Sequence, residues 1–229
     1  MKIFKNKDQL RREIGNKKSI SFVPTMGGLH KGHISLIKTA KKYTNETLVS
    51  IYVNPKQFNK KEDYKKYPRN LVKDLKILRK LKVNYLYLPT YKDLFKFKPT
   101  HRVYLHIFAK KLCGKYRKGH FKGVLDVVNR FLEIIRPKYL FLGLKDFQQL
   151  ILIKKHILKN KIVTKITSCK TVREPSGVAC SSRNFNLNKN QMKIAEDVFN
   201  YLIKIKKKTK KNLKLFDSTL FKKDLIKIG

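Results

Sequence analysis

The sequence has no disulfide framework and no membrane span. Its three cysteines, Cys113, Cys169 and Cys180, are odd in number and stand without a CxxC or Cys/His cluster. That pattern points to a reduced compartment and against structural zinc. No stretch reaches the roughly eighteen uninterrupted apolar residues of a spanning helix, and the opening MKIFKNKDQLRREIG lacks the apolar run of a signal peptide. The expectation is a cytoplasmic, soluble protein. Its 229 residues suffice for a real core without disulfide or metal staples.

Acidic side chains are also scarce. Only 15 Asp and Glu face 56 Lys and Arg, a net charge of +41. Clustered cations gain affinity for nucleic acid by counterion release. Here, however, 46 of the basic residues are Lys and 10 are Arg, whereas bidentate recognition of phosphates and bases favours Arg. The lysines are spread along nearly every helical stretch, and Ile, Asn, Phe and Tyr, residues with AT-rich codons, are abundant too. The charge is therefore read as nucleotide bias in the coding sequence, and no specific nucleic-acid partner is expected.

What is present is an alternation of strand and helix signals, which implies a layered α/β sheet with parallel strands. Strands are expected at Ile20–Val23, Leu48–Val53, in VNYLYLP from Val83, in YLFLG from Tyr139 and in KIVTKIT. Helices are expected over His33–Tyr43, around Leu71, Leu75 and Leu78, and along LKDFQQLILIKKHILKN. The clearest helix starts near Lys122: Val124, Val127, Val128, Phe131, Leu132 and Ile135 form an apolar stripe that ends before Pro137. After Ser176-Gly177 the pattern changes. Met192, Ala195, Phe199 and Leu202 mark another helix, and KIKKKTKKNLK reads as a solvated face or frayed segment. The boundary is set between a Rossmann-like domain, residues 1–174, and a small C-terminal domain, 175–229.

Ligands of open parallel sheets sit at the carboxyl ends of the strands. Three polar clusters fall at such ends: TMGGLHKGH, NPKQF and GLKDFQQ. A glycine turn running into a helix N-terminus can hold phosphate through outward-pointing amides and the helix dipole. His30 and His33, three apart, project from one side of the first helical turn. They suit hydrogen bonding to oxygens that gain charge during nucleotidyl transfer, although an isolated HxGH reads equally as two surface histidines. A zinc site would need a third ligand, and none is paired with them. Lys145 can pair with phosphate while Asp146 caps a helix or orders a bound group. Gln57 and Gln149 carry amides able to donate and accept, fit for a substrate bearing hydroxyl and carboxylate. Ser181, Ser182 and Arg183 read as a polar loop or as a mobile phosphate clamp. His101, His106 and His156 have no partner spacing and are left as structural.

Taken together, PTMGGLHKGH, VNPKQF, YPRN, LCGKYRKGHFKGV, GLKDFQQL and TVREPSGVACSSRN resemble the pantoate-β-alanine ligases, members of the HIGH-motif nucleotidyltransferase superfamily. The likeness runs from about residue 20 to 187. It implies ATP-dependent condensation of pantoate with β-alanine through a pantoyl adenylate, with release of pyrophosphate and then AMP. It implies that Met26, Gly27, Gly28, Leu29, His30, Lys31, Gly32 and His33 form the ATP loop, with His33 as proton donor. By the same resemblance Gly143, Leu144, Lys145 and Asp146 line the nucleotide, Val172 contacts adenine, and Cys180, Ser181, Ser182 and Arg183 grip the triphosphate. Gln57 and Gln149 hold pantoate and β-alanine, with Arg117 and His120 nearby. Mg²⁺ accompanies ATP, and Asp74 is the candidate protein ligand for it, although Lys73 stands where the family often has a further acid. The family usually has Glu at Leu144 and Met or Leu at Cys180, and its C-terminal domain is longer than Pro175–Gly229. A homodimer is a further implication. The rival readings are a sister nucleotidyltransferase acting on another acid, a decayed enzyme, or a nucleic-acid-binding chain that kept only the fold.

Overall fold

Side chains that alternate along apolar strands decide the layering of this protein. In the computed structural model, which describes residues 1–17, 19–211 and 216–229, one sheet runs through the first of two compact units, Met1–Thr171; the second is Val172–Gly229. The first unit contains β1 (Lys2–Phe4), α1 (Lys7–Ile14), β2 (Ile20–Thr25), α2 (Lys31–Ala40), β3 (Glu46–Ile51), α3 (Lys61–Lys66), α4 (Leu71–Lys80) and β4 (Tyr85–Tyr87). It continues through α5 (Tyr91–Phe95), α6 (Cys113–Tyr116), α7 (His120–Ile135), β5 (Tyr139–Gly143), α8 (Phe147–Lys159) and β6 (Lys165–Cys169). All pairings are parallel, in the order β1-β4-β3-β2-β5-β6.

Successive residues of a strand face opposite sides. Phe22, Leu48, Tyr85, Tyr87, Leu140 and Leu142 join the stripe of α7 on one face. Val23, Val49, Leu86 and Phe141 pack with Leu29, Ile37 and Leu78 on the other. A sheet covered on both faces reads as near-continuous apolar strands, which is why YLFLG was legible as one. The α7 stripe buries Val124, Leu125, Val127, Val128, Phe131 and Leu132, each worth about 1.5–3 kcal/mol in transfer from water for the larger side chains.

Some boundaries differ from the sequence reading. β3 starts at Glu46 because the ladder pairs Ile20 with Glu46 through Thr25 with Ile51; Tyr52 and Val53 lie beyond it. Helix α2 begins two residues earlier than expected, because His30 caps it. In KIVTKIT the strand waits until Lys165: Lys161 takes a positive φ of 53° and the Thr164 hydroxyl donates to Pro137 O at 2.8 Å, so the first half is a turn. β1, α1 and a final helix escaped the sequence reading, β1 being too short to show a period.

The histidines left as structural serve the segment before α7. His156 is fully buried; its Nδ1 accepts from Tyr104 N at 3.1 Å, so its Nε2–H donates to Asn129 Oδ1 at 3.0 Å. Glu133 accepts from Thr100 N and His101 N, both at 2.8 Å. Burial, and then His101, lower the His156 pKa from 6.5 to about 4, against a smaller raising effect of Glu133.

The second unit holds a turn closed by Glu174 N→Val178 O and Cys180 N→Val172 O, then α9 (Lys189–Lys211) and α10 (Ser218–Ile228). Gly177 is required there: its φ is +84°, and a Cβ would stand 2.0 Å from Phe199. The end of the basic run, 212–214, lies outside the described residues. Among the described residues no helix is long and apolar enough to cross a membrane.

Candidate active site

After β2 the chain moves outward through β3 and β4, then returns to place β5 on the other side of β2. Connections leave β2 and β5 in opposite directions along the sheet, and a crevice opens where that happens. The two segments emerging there are MGGLHKGH and GLKDFQQ.

The first is tightly braced. Thr25 Oγ1 donates to Ser50 O at 2.7 Å and accepts from Gly27 N at 3.2 Å. Gly27 and Gly28 take φ of 76° and 60°, values that favour glycine. Their turn swings the next amides onto one carboxylate: Gly28 N donates to Asp74 Oδ2 at 2.9 Å and Leu29 N to Asp74 Oδ1 at 2.8 Å. Asp74, on α4, is 2% exposed. Burial holds its carboxyl above the usual carboxylate range, opposed by the two amide bonds and by Lys73.

His30 is the N-cap of α2, and together with His33 it forms a capping box. Gly32 N donates to His30 Nδ1 at 3.1 Å, and His30 N donates to His33 Nδ1 at 3.4 Å. Each Nδ1 is therefore an acceptor, so each neutral ring carries its proton on Nε2. The rings lie 4.0 Å apart, centroid to centroid, at 37°. Burial, then the neighbouring His30, then Lys145 depress the His33 pKa from 6.5 to about 3. His33 is thus a neutral N–H donor throughout the physiological range. These bonds correct one expectation: the amides of Gly27, Gly28, Leu29, His30 and Gly32 point at the protein's own side chains, so here the loop offers no row of outward amides to a phosphate.

The second segment supplies the cation. Gly143 ends β5, and Leu144–Asp146 form one 3-10 turn before α8. Lys145 Nζ lies 3.1 Å from Asp146 Oδ1, and Lys145 acts electrostatically on His33, which places the two in one field. Asp146 occupies the N-cap position of α8, yet its side chain makes no capping bond. Gly143 has an ordinary φ of −81°, and an added Cβ would meet nothing nearer than 4.0 Å. Protein packing does not require glycine there.

Gln57 closes the 3-10 turn Pro55–Gln57 after β3. Its carbonyl accepts from His120 Nδ1 at 2.6 Å. Asn54, fully buried, accepts from Lys56 N at 3.2 Å and donates to Gly123 O at 3.0 Å. A Cβ on Gly123 would stand 2.3 Å from Lys56 O, so the turn and α7 are in backbone contact. Asn54 was not singled out from sequence; its place between β3 and Pro55 was the available signal. Gln149 is half-buried in the first turn of α8. Its neighbour Gln148 is buried and donates to Phe108 O and Lys111 O at 2.9 and 2.7 Å.

Val172, Cys180, Ser181, Ser182 and Arg183 belong to the second unit. Ser181 caps the 3-10 turn Ser182–Asn186, accepting from Arg183 N at 3.3 Å; Ser182 is 5% exposed, Arg183 is exposed, and buried Cys180 donates to Glu174 Oε1 at 3.0 Å. As for metal, both oxygens of Asp74 are engaged by amides, and among the described residues no group of three His, Cys, Asp or Glu could hold an ion.

A family model described as pantoate-beta-alanine ligase matches residues 2–227. The pantothenate synthetase of Francisella tularensis subsp. novicida is 45% identical over 194 residues, 84% of this chain and 74% of that protein. Among solved structures, a pantoate-beta-alanine ligase from Francisella tularensis complexed with beta-gamma ATP and beta-alanine is similar at a TM-score of 0.82 and 44% identity, covering 87% of this chain and 78% of that one. The pantothenate synthetase of Thermus thermophilus is similar at a TM-score of 0.83 and 32% identity, over 89% of this chain and 74% of that one.

Proposed function

This chain belongs to the pantoate-β-alanine ligase family, whose activity is ATP-dependent condensation of the two acids, and we propose that it works through an acyl adenylate assembled at the β2/β5 crevice. A free carboxylate repels nucleophiles and would have to expel an oxide, so it must first be activated. A pantoate carboxylate oxygen attacks the α-phosphorus of ATP, the bond to the β-phosphate oxygen breaks, and pyrophosphate leaves with the electron pair. The neutral amine of β-alanine then attacks the acyl carbon, AMP leaves with the bridging oxygen, and the nitrogen loses its proton.

The observation that carries this reading is the pair of imidazoles whose Nδ1 atoms accept main-chain N–H groups at the start of α2, with His33 within the field of Lys145. Preorganised donors and a fixed cation aimed at charge that develops during reaction are usually the largest contribution to catalysis. His30, His33 and Lys145 are assigned to the phosphates, with Met26–His33 as the loop beneath them. Gly143, Leu144 and Asp146 are assigned to the nucleoside, where the missing side chain at Gly143 leaves room for it. Gln57 and Gln149 are assigned to pantoate and β-alanine. Arg183, Ser181, Ser182, Cys180 and Val172 are assigned to the nucleotide on sequence context, and residues 175–229 to a lid. ATP enters as its magnesium complex, the metal held by phosphate oxygens. A cytoplasmic homodimer completes the reading; light scattering tests its assembly.

Incubation with ATP, β-alanine and pantoate labelled with ¹⁸O in its carboxylate tests the chemistry. Pyrophosphate release should require pantoate, and one labelled oxygen should appear in AMP. Release of ADP, or AMP without label, would refute the adenylate.

A further inference from the structure

Successive main-chain N–H groups around left-handed residues form a concavity that binds anions. Gly27 and Gly28 make such a concavity, yet the anion in it belongs to the protein: the Asp74 carboxylate receives Gly28 N on one oxygen and Leu29 N on the other. Asp74 arrives from α4, 46 residues from Gly28 along the chain, so the contact ties the β2–α2 loop to a separate helix. It also lies beside Gly27, where an added Cβ would stand 3.0 Å from Asp74 Oδ2 and 3.1 Å from Ile51 Cγ2.

We propose that Asp74 is a positioning residue for the ligation, an internal anion that fills the loop's amide concavity and thereby fixes the two histidines. The inference rests on the adenylate reading for its catalytic consequence. The carboxylate is suited because it presents two acceptor oxygens to two consecutive donors. An asparagine would turn an NH₂ toward one of those amides and leave a buried donor facing a donor. The chain of consequence is short. Gly28 and Leu29 set the position of His30, whose N–H meets His33 Nδ1 at 3.4 Å, near the upper limit of a hydrogen bond. A small displacement of the loop breaks that bond, frees the tautomer of His33 and turns its Nε2–H away. Asp74 acts through the histidines, and no metal enters its role.

Two measurements on Asp74→Asn separate this role from a merely structural one. In the ligand-free protein, amide hydrogen exchange at Gly28 and Leu29 should quicken at least tenfold, and the imidazole ¹⁵N shifts of His33 should move toward a mixture of tautomers. In turnover, kcat should fall about 10²-fold, KM for ATP should stay within about threefold, and the magnesium dependence should not shift. Gly27→Ala attacks the same contact from the loop and should give the same split, which keeps the test open if the Asn variant folds poorly. Unchanged exchange at the two amides, wild-type kcat, or recovery of turnover by added magnesium would overturn the proposal. If the wild-type protein releases no pyrophosphate, the adenylate reading falls, while exchange and ¹⁵N shifts still judge the anion in the concavity.

Discussion

Replacing Gly123 by alanine perturbs the site without touching a substrate-facing side chain. The new Cβ would stand 2.3 Å from Lys56 O and 2.7 Å from its carbonyl carbon. Ordinary contact begins near 3.5 Å, so the two segments are roughly 1 Å too close. Helix α7 is anchored by its buried stripe, whereas the Pro55–Gln57 turn is held by Asn54 and by the His120 bond to Gln57 O. The turn should therefore give way. Overpacking of this kind typically costs about 1–3 kcal/mol, and moving a positioning group by about 1 Å can cost 10²-fold in rate. Pantoate-dependent pyrophosphate release, ATP binding by calorimetry and urea unfolding would read the three effects. The expectation is a loss of about 10²-fold in kcat/KM for pantoate, ATP affinity nearly unchanged, and a lower urea midpoint. Wild-type turnover with an unchanged midpoint would refute the claim that α7 sets the position of Gln57.

His33→Ala and Lys145→Ala should each slow pyrophosphate release by about 10²–10³-fold while ATP affinity changes far less; unchanged turnover in either variant removes that residue from its role. Buried His156 and half-buried His33 give a signed pH effect. His156 and His33 have folded pKa values lowered from 6.5 to about 4 and about 3, so between those values and about 6.5 the unfolded chain binds more protons and stability falls as pH falls. Urea midpoints at pH 7 and pH 5 should differ, and His156→Gln should flatten the difference. Because His33 is already neutral, the rate should show no alkaline loss from imidazolium deprotonation between pH 6 and 8.

The sheet was legible because both its faces are covered, which leaves strands such as YLFLG apolar throughout, and α7 because its stripe is long. The location of His30, His33 and Lys145 followed from their place after strands. The direction of the loop amides did not, because that depends on Asp74, a residue on another helix that the family resemblance offered as a metal ligand. Nor could spacing reveal that Asp146, at the helix start expected for it, forgoes the cap, or that Asn54 joins the Gln57 turn to α7. Each depends on which distant backbone atom folding brings within reach.

The loop between β2 and α2 has its amides committed to Thr25, Asp74, His30 and His33 before any ligand arrives. If the proposed site is right, a nucleotide arriving there has little main-chain disorder left to remove, and binding energy that a floppy loop would lose on being organised stays with the complex. Superposed empty and occupied forms should coincide here to within side-chain rotations.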